Sequence, residues 1–235
     1  MFDNGVRLYR QHISSIQAAR YRTTNLHEPI EEEWFRRLSR DGSGAFRFAD
    51  VGAGIGYYSI LLKRLRPSAE VFCFEPLRAH AEHLAQNLTL NHIDLAAVQV
   101  FPYAVCDHVG RQAFHEENFG SRLIEDGGQL SSEVDTTTLE TIVEGISGPL
   151  DLVKIDVQGE EQRVIAGAGR ARKQIRAWII GTHSMDLHRA CLADMCAGGF
   201  EILFEDPAPA QQPDGLIVAV REGSSPSAWP HATHG

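Results

Sequence analysis

Asp50, Gly52, Gly54 and Gly56 fall on alternate residues, and Glu75 lies about twenty residues further on. Together these types can hold a nucleoside. Glycines let a turn close over a ligand where no Cβ intervenes, and a carboxylate ending the next strand accepts hydrogen bonds from two ribose hydroxyls. The spacing argues against a pyrophosphate. A dinucleotide fingerprint reads G-x-G-x-x-G, and its third glycine position here holds Tyr57. The pattern D-x-G-x-G-x-G suits a ligand whose amino-acid portion lies over the turn, with Asp50 facing an ammonium group.

A second set ends two apolar runs further along. Asp156 falls near the end of 150–157, and Thr182-His183 closes 177–182. In open αβ sheets ligands collect at the carboxyl ends of the strands, so both runs deliver polar groups to one edge.

The elements that must position these groups follow from the patterning. Residues 46–51, 70–74 and 97–103 read as strands, separated by a helix with Tyr58, Leu61, Leu62 and Leu65 on one face and by a helix over about 77–91. The run 150–157 is apolar apart from Lys154 and Asp156, as a central strand should be. A helix from Glu160 and a strand at 177–182 come next. Phe200, Ile202 and Phe204 alternate with Glu201 and Glu205, and the turn Pro213-Asp214-Gly215 leads into 216–220. With no helical pattern between them, these last two strands should pair antiparallel. Before the sheet, Val6, Tyr9, Ile13 and Ile16 are spaced for one face of a helix. A better-marked helix starts at Pro29, has Glu31, Glu32 and Glu33 near its start and ends with Arg36, Arg37 and Arg40.

Residues 1–45 therefore read as an N-terminal helical extension, which either packs on the sheet or caps a substrate pocket. Residues 46–221 form the main domain, 107–138 an irregular insertion or lid, and 222–235 a disordered tail containing His231 and His234. The turns 118–120 and 126–128 fall in the insertion. His115, Phe119, Ser121 and Arg122 there could contact substrate, although loop scaffolding is the simpler role of each. His80 and His83 share a face of the 77–91 helix and read as solvated surface.

Composition bounds the function. With 43% hydrophobic residues the chain is globular, and 22 Lys+Arg against 31 Asp+Glu give a net charge of −9. That is a poor footprint for nucleic-acid phosphates. Of the four cysteines, Cys73 reads as a buried strand thiol, and Cys191 and Cys196 are spaced unlike the paired knuckles of a zinc site. No secretory leader is recognised and no apolar run reaches the ~20 residues that span a bilayer, so a reduced, cytoplasmic setting is expected. The expected partner is a small molecule, with no nucleic acid and no membrane. A homodimer is compatible with these features.

Three segments together resemble the FkbM family of S-adenosylmethionine-dependent methyltransferases: 50–59, Phe74-Glu75-Pro76, and 151–161. Asn87 to Asn91, Ala104-Val105 with Asp107 and Gly110, and Thr138-Leu139-Glu140 add to the likeness, which runs from about residue 46 to about 204. The resemblance implies an α/β, Rossmann-like class I methyltransferase fold, with a seven-stranded, mostly parallel sheet ending in an antiparallel hairpin. It implies S-adenosyl-L-methionine as cofactor and O-methylation of a sugar or natural-product hydroxyl. By resemblance Asp50, Gly52, Gly54 and Tyr57 line the methionine end of the cofactor, Glu75 takes the ribose hydroxyls, and Ala104 and Val105 flank the adenine. Two positions depart from the family pattern. Ala53 stands where Asn is common, and Gln158 where Glu is common.

Methyl transfer to an alcohol needs the acceptor held in line and its proton removed. His183, whose ring titrates near neutrality, is the preferred general base, weighed against a structural role capping the next helix. Asp156 would orient His183 or the substrate, or ligate a cation. Glu161 also complements the dipole of the helix it opens. A metal site built from Asp156, Glu161 and His183 is compatible with the sequence, but no compact spacing requires it, and no metal is assigned. The competing readings are an NAD-type oxidoreductase, disfavoured by Tyr57 and the terminal hairpin, and a non-catalytic S-adenosylmethionine-binding regulator.

Overall fold

The structure, a computed structural model, describes residues 1–40, 44–115, 122–123 and 131–223. The turns at 118–120 and 126–128, Ser121, the side chains of His115 and Arg122, and the tail with His231 and His234 lie outside the described residues.

Two helices precede the sheet, α1 (Ser15–Thr24) and α2 (Pro29–Arg40). Alternation of strand and helix follows: β1 (Arg47–Val51), α3 (Tyr57–Leu65), β2 (Glu70–Phe74), α4 (Arg78–Leu90) and β3 (Val98–Phe101). β4 (Ala104–Val105) follows, and the insertion region supplies β5 (Gly110–His115), β6 (Arg122–Leu123) and β7 (Ser131–Thr137). The second half is α5 (Leu139–Gly145), β8 (Leu152–Ile155), α6 (Glu161–Ala166), β9 (Ala177–Thr182), α7 (Met185–Ala197), β10 (Phe200–Asp206) and β11 (Gly215–Arg221).

The main sheet has seven strands in the order β10-β11-β9-β8-β1-β2-β3. Its interior pairs are parallel, whereas β11 runs antiparallel to both β9 and β10. This is the sheet and terminal hairpin expected from the strand pattern. From Ala104 to Thr137 the chain builds a second sheet, β4-β7-β5-β6, in which β5 and β7 pair antiparallel. The third strand is shorter than its apolar run. Pro102 has no N–H to continue the ladder, and the chain passes to the second sheet at Ala104.

Side-chain alternation divides the core in two. Phe48, Val71, Cys73, Leu152 and Ile179 face α2, α3 and α4 through Phe35, Leu61 and Leu84. Ala49, Val51, Phe72, Val153 and Trp178 face the other way, with Val143, Val164, Cys191 and Met195. Lys154 stands two residues after Leu152 in β8, so it shares the face that meets the N-terminal helices, and its register partner in β1 is Asp50.

Two expectations are corrected. Residues 6–16 are not one helix. A single 3-10 turn covers Arg10–His12, and Ser14 starts α1 by a reciprocal capping box with Gln17. His80 and His83 are not solvated surface. His80 lies 3.5 Å from Glu75, and His83 stacks on His12 at 3.9 Å between ring centroids, because the N-terminal segment covers this side of α4.

Candidate active site

The turn after β1 brings the backbone itself to the site. Gly52, Gly54 and Gly56 all have positive φ, which lets three reversals follow one another without a Cβ penalty. A Cβ on Gly52 would sit 1.9 Å from the carbonyl oxygen of Asp156, so only glycine permits β1 and β8 to close together here. A Cβ on Gly54 would meet nothing within 4 Å. It would project into open space beside a cleft that Gly54 lines. The first glycine serves packing, and the second leaves room for a ligand.

That cleft gathers Asp50, Gly52, Gly54, Tyr57, Glu75, Ala104 and Val105, all seven residues assigned by resemblance to the cofactor, and Asp156 also lines it. Glu75 is held in place. One carboxylate oxygen accepts from Gly54 N–H at 2.9 Å and the other from Leu77 N–H at 3.0 Å, which fixes its lone pairs relative to the turn. Asp50 is buried and accepts a 2.5 Å hydrogen bond from Ser59 Oγ. Burial, the largest influence, outweighs Lys154 and Ser59 and pushes its carboxyl above the usual range. Gln158 also lines the cleft, in a left-handed conformation with φ 55°, and its Nε2 lies 3.3 Å from Asp156 Oδ1. A non-glycine residue held there is strained backbone at the rim of the site.

The N-terminal helices both pack on the sheet and reach the cleft. Tyr57 donates to Glu32 at 2.6 Å and receives a hydrogen bond from Asn4 at 2.6 Å. Tyr58 donates to Glu28 at 3.1 Å. Lys154 Nζ lies 3.2 Å from Glu31 and 3.4 Å from Asp156 Oδ2. Burial, the largest influence on Lys154, disfavours its charge. The surrounding acids Glu31, Asp156, Glu28 and Asp50 outweigh it and raise the ammonium above its ordinary value. His27 and Gln17 stand in the cleft wall, and burial keeps His27 neutral, down to about 3.

Beyond Asp156 lies the second cluster. His183 Nδ1 is 2.6 Å from Oε1 of the fully buried Glu161, so this nitrogen donates. Its Nε2 stands 3.6 Å from Asp156 Oδ1 and 3.4 Å from Asp214 Oδ1. Burial opposes the charged ring, but Glu161, Asp156 and Asp214 together outweigh it and raise His183 to about 9. Burial is also the largest influence on Asp156, yet Lys154 and His183 hold that carboxyl below its usual range. Asp214, where burial and Asp156 dominate, is pushed up to about 6. His183 does not itself line the cleft and adjoins it through Asp156.

Several residues of the site escaped the sequence reading. Asp214 was legible only as a turn residue, and antiparallel pairing of β11 with β9 sets Gly215 beside Thr182 and so carries Asp214 to His183. His80 carried a weak signal, five residues after Glu75. His27, Tyr103 and Phe114 come to the cleft from the extension, the link between β3 and β4, and the second sheet, with no local pattern to mark them.

Fold and site together define a class I methyltransferase architecture. Residues 50–202 match the family described as methyltransferase FkbM domain, and the chain belongs to that family. Among curated relatives, 2-O-methyltransferase NoeI of Sinorhizobium fredii is 29% identical over 50% of this chain and 55% of its own length. Methyltransferase sdnD of Sordaria araneosa is 26% identical over 50% of this chain and 58% of its own. The chain thus spans little more than half the length of these relatives. Solved structures share the fold at low identity. Magnesium protoporphyrin IX methyltransferase from Synechocystis, with bound SAM, aligns at TM-score 0.53 and 13% identity over 83% of this chain and 79% of that one. A SAM-dependent O-methyltransferase from Thermotoga maritima aligns at 0.53 and 15% over 83% and 66%. Among the described residues, no helix is long and apolar enough to cross a membrane.

Proposed function

We propose that this chain is an S-adenosylmethionine-dependent O-methyltransferase acting on a hydroxyl of a small molecule of sugar or natural-product type. One observation carries the reading: the glycine turn, Glu75 and Ala104-Val105 line a single cleft that ends at Asp156, beside His183. The residues fit the cofactor. Gly54 leaves open space at the turn, and Glu75, held by two backbone N–H groups, presents its remaining lone pairs for a ribose. Asp50 and the turn would hold the amino-acid portion, and Ala104 and Val105 would flank the base. The relative named as a 2-O-methyltransferase supports an oxygen acceptor.

When bound, S-adenosylmethionine supplies a methyl group on a sulfonium sulfur, which keeps the bonding electron pair as the acceptor oxygen takes the methyl carbon. Asp156 orients the acceptor hydroxyl, and neutral His183 takes its proton on Nε2 while Glu161 holds Nδ1–H. Because the three carboxylates keep the ring charged up to about pH 9, the base acts after that proton has left. Confinement between the cleft wall and the N-terminal helices excludes water and aligns the reactants.

The test is binding first and turnover second. S-adenosylhomocysteine should raise the melting temperature, and labelled methyl should pass from S-adenosylmethionine to a member of a hydroxylated acceptor panel. Protection by a nicotinamide cofactor without protection by S-adenosylhomocysteine would overturn the reading. Tight S-adenosylhomocysteine binding with no turnover on any acceptor would favour a regulator.

A further inference from the structure

His183 is tethered on one side and open on the other. Glu161 fixes Nδ1 as a donor at 2.6 Å, which leaves Nε2 as the free end of the ring. That Nε2 atom is buried and makes no hydrogen bond among the described residues, yet it faces two carboxylate oxygens at 3.4 and 3.6 Å. A ligating histidine typically presents one nitrogen to the ion and gives its other N–H to a carboxylate, which fixes the tautomer. Glu161, completely buried, already occupies that supporting position.

The spacing fits an ion. Donors about 2.1 Å from a tetrahedral cation stand about 3.4 Å apart. One ligand atom each from Asp156, His183 and Asp214 lies within 4.8 Å of the other two. Lys154 engages the other oxygen of Asp156, Oδ2, and Gln158 Nε2 shares Oδ1 at 3.3 Å, a load that its two lone pairs can carry. One imidazole and two carboxylates suit a divalent first-row cation such as Mn²⁺ or Zn²⁺.

We infer that Asp156, His183 and Asp214 form a binding site for one divalent transition-metal cation, with Glu161 holding the imidazole in its ligating tautomer. The site adjoins the cleft through Asp156; with the ion bound, His183 Nε2 is a ligand and no longer the base, and an ion with open positions takes the acceptor hydroxyl and makes its proton easier to lose in its place. That last role rests on the methyltransferase reading; binding of the ion does not.

The full chain, stripped with a chelator, is titrated with Mn²⁺ and uptake is followed by loss of the free-ion paramagnetic resonance signal. Calorimetry with Zn²⁺ and, separately, with S-adenosylhomocysteine accompanies it. The expected result is one ion per chain, bound at least about 10-fold more weakly by Asp214→Asn and His183→Gln. Retained S-adenosylhomocysteine affinity would show that both variants are folded. Absence of stoichiometric uptake, or equal uptake by wild type and both variants, overturns the cation site. Ion uptake without S-adenosylhomocysteine binding supports the cation site and sinks the methyltransferase reading alone.

Discussion

Lys154 Nζ, in the central strand β8, lies 3.2 Å from the carboxylate of Glu31 on helix α2, and both side chains are almost wholly withdrawn from water. The pair ties the N-terminal helices to the strand that ends at Asp156. It joins the part of the chain outside the family match to the edge of the sheet that carries the proposed site.

Removing one partner of a buried pair leaves a charge without compensation, whereas removing both leaves none. Lys154→Met should therefore cost about 3–5 kcal/mol in urea denaturation. Adding Glu31→Leu should return only part of that loss, because Asp156, Glu28 and Asp50 also face the ammonium and burial already raises Glu31 to about 8. If the double variant is as unstable as the sum of the two singles, Glu31 is not the partner that matters, and Asp156 or Asp50 takes its place.

The glycine turn separates packing from binding. Gly52→Ala forces a Cβ against the Asp156 carbonyl and should cost at least about 2 kcal/mol. Gly54→Ala meets no atom in the fold and carries only the left-handed cost of about 1–2 kcal/mol. It should nevertheless weaken S-adenosylhomocysteine binding by at least about 10-fold, equivalent to about 1.4 kcal/mol. Melting curves and calorimetry on both variants check the contrast. Undiminished binding by Gly54→Ala would mean that the ligand does not lie over this turn.

Much of this was readable because it is local. The alternation of Phe48 with Ala49, the Pro29 start of α2 and the paired apolar runs around Pro213-Asp214-Gly215 each state their element within a few residues. The D-x-G-x-G-x-G turn likewise carries its own geometry. Residues joined only by tertiary contact left no such trace. Lys154 read as an exception in a buried strand, and its reason, Glu31, is more than a hundred residues away. Asp214 read as a turn, and its place beside His183 depends on strand pairing. The mis-read helix at 6–16 had the right periodicity, but the stronger signal was the Ser14 cap, which begins the helix later.

His183 should make folding stability depend on pH. Its folded value of about 9 lies above the ordinary 6.5, so the folded state holds the proton more tightly. The contribution is fully present below pH 6.5 and is lost as pH rises through 9. At its largest it amounts to about 3 kcal/mol. Asp214, raised to about 6, acts between its ordinary 3.8 and 6, and Glu31, raised to about 8 by burial, acts between 4.5 and 8, so His183 is read from the difference between wild type and variant and from the fall above pH 8. Unfolding free energies measured from pH 6 to 10 should fall in the wild type and stay flatter in His183→Gln. Parallel curves would show that the ring is not held charged by its carboxylates.

The same charge sets the expected rate profile. A general base must be neutral to accept the hydroxyl proton, and a ring that stays charged up to about pH 9 offers only a small neutral fraction at pH 7. In chelator-treated enzyme, kcat/KM on a responsive acceptor should climb with pH and level off near 9. His183→Gln should lower it by about 10²- to 10⁴-fold and remove the climb. Glu161→Gln, which keeps a hydrogen-bond acceptor but removes a negative charge, should shift the climb to lower pH, since that charge helps hold the proton. A merely structural Glu161 would change stability and leave the midpoint of the profile where it was. A His183→Gln enzyme whose profile still rises toward 9 would transfer the role of base to another group.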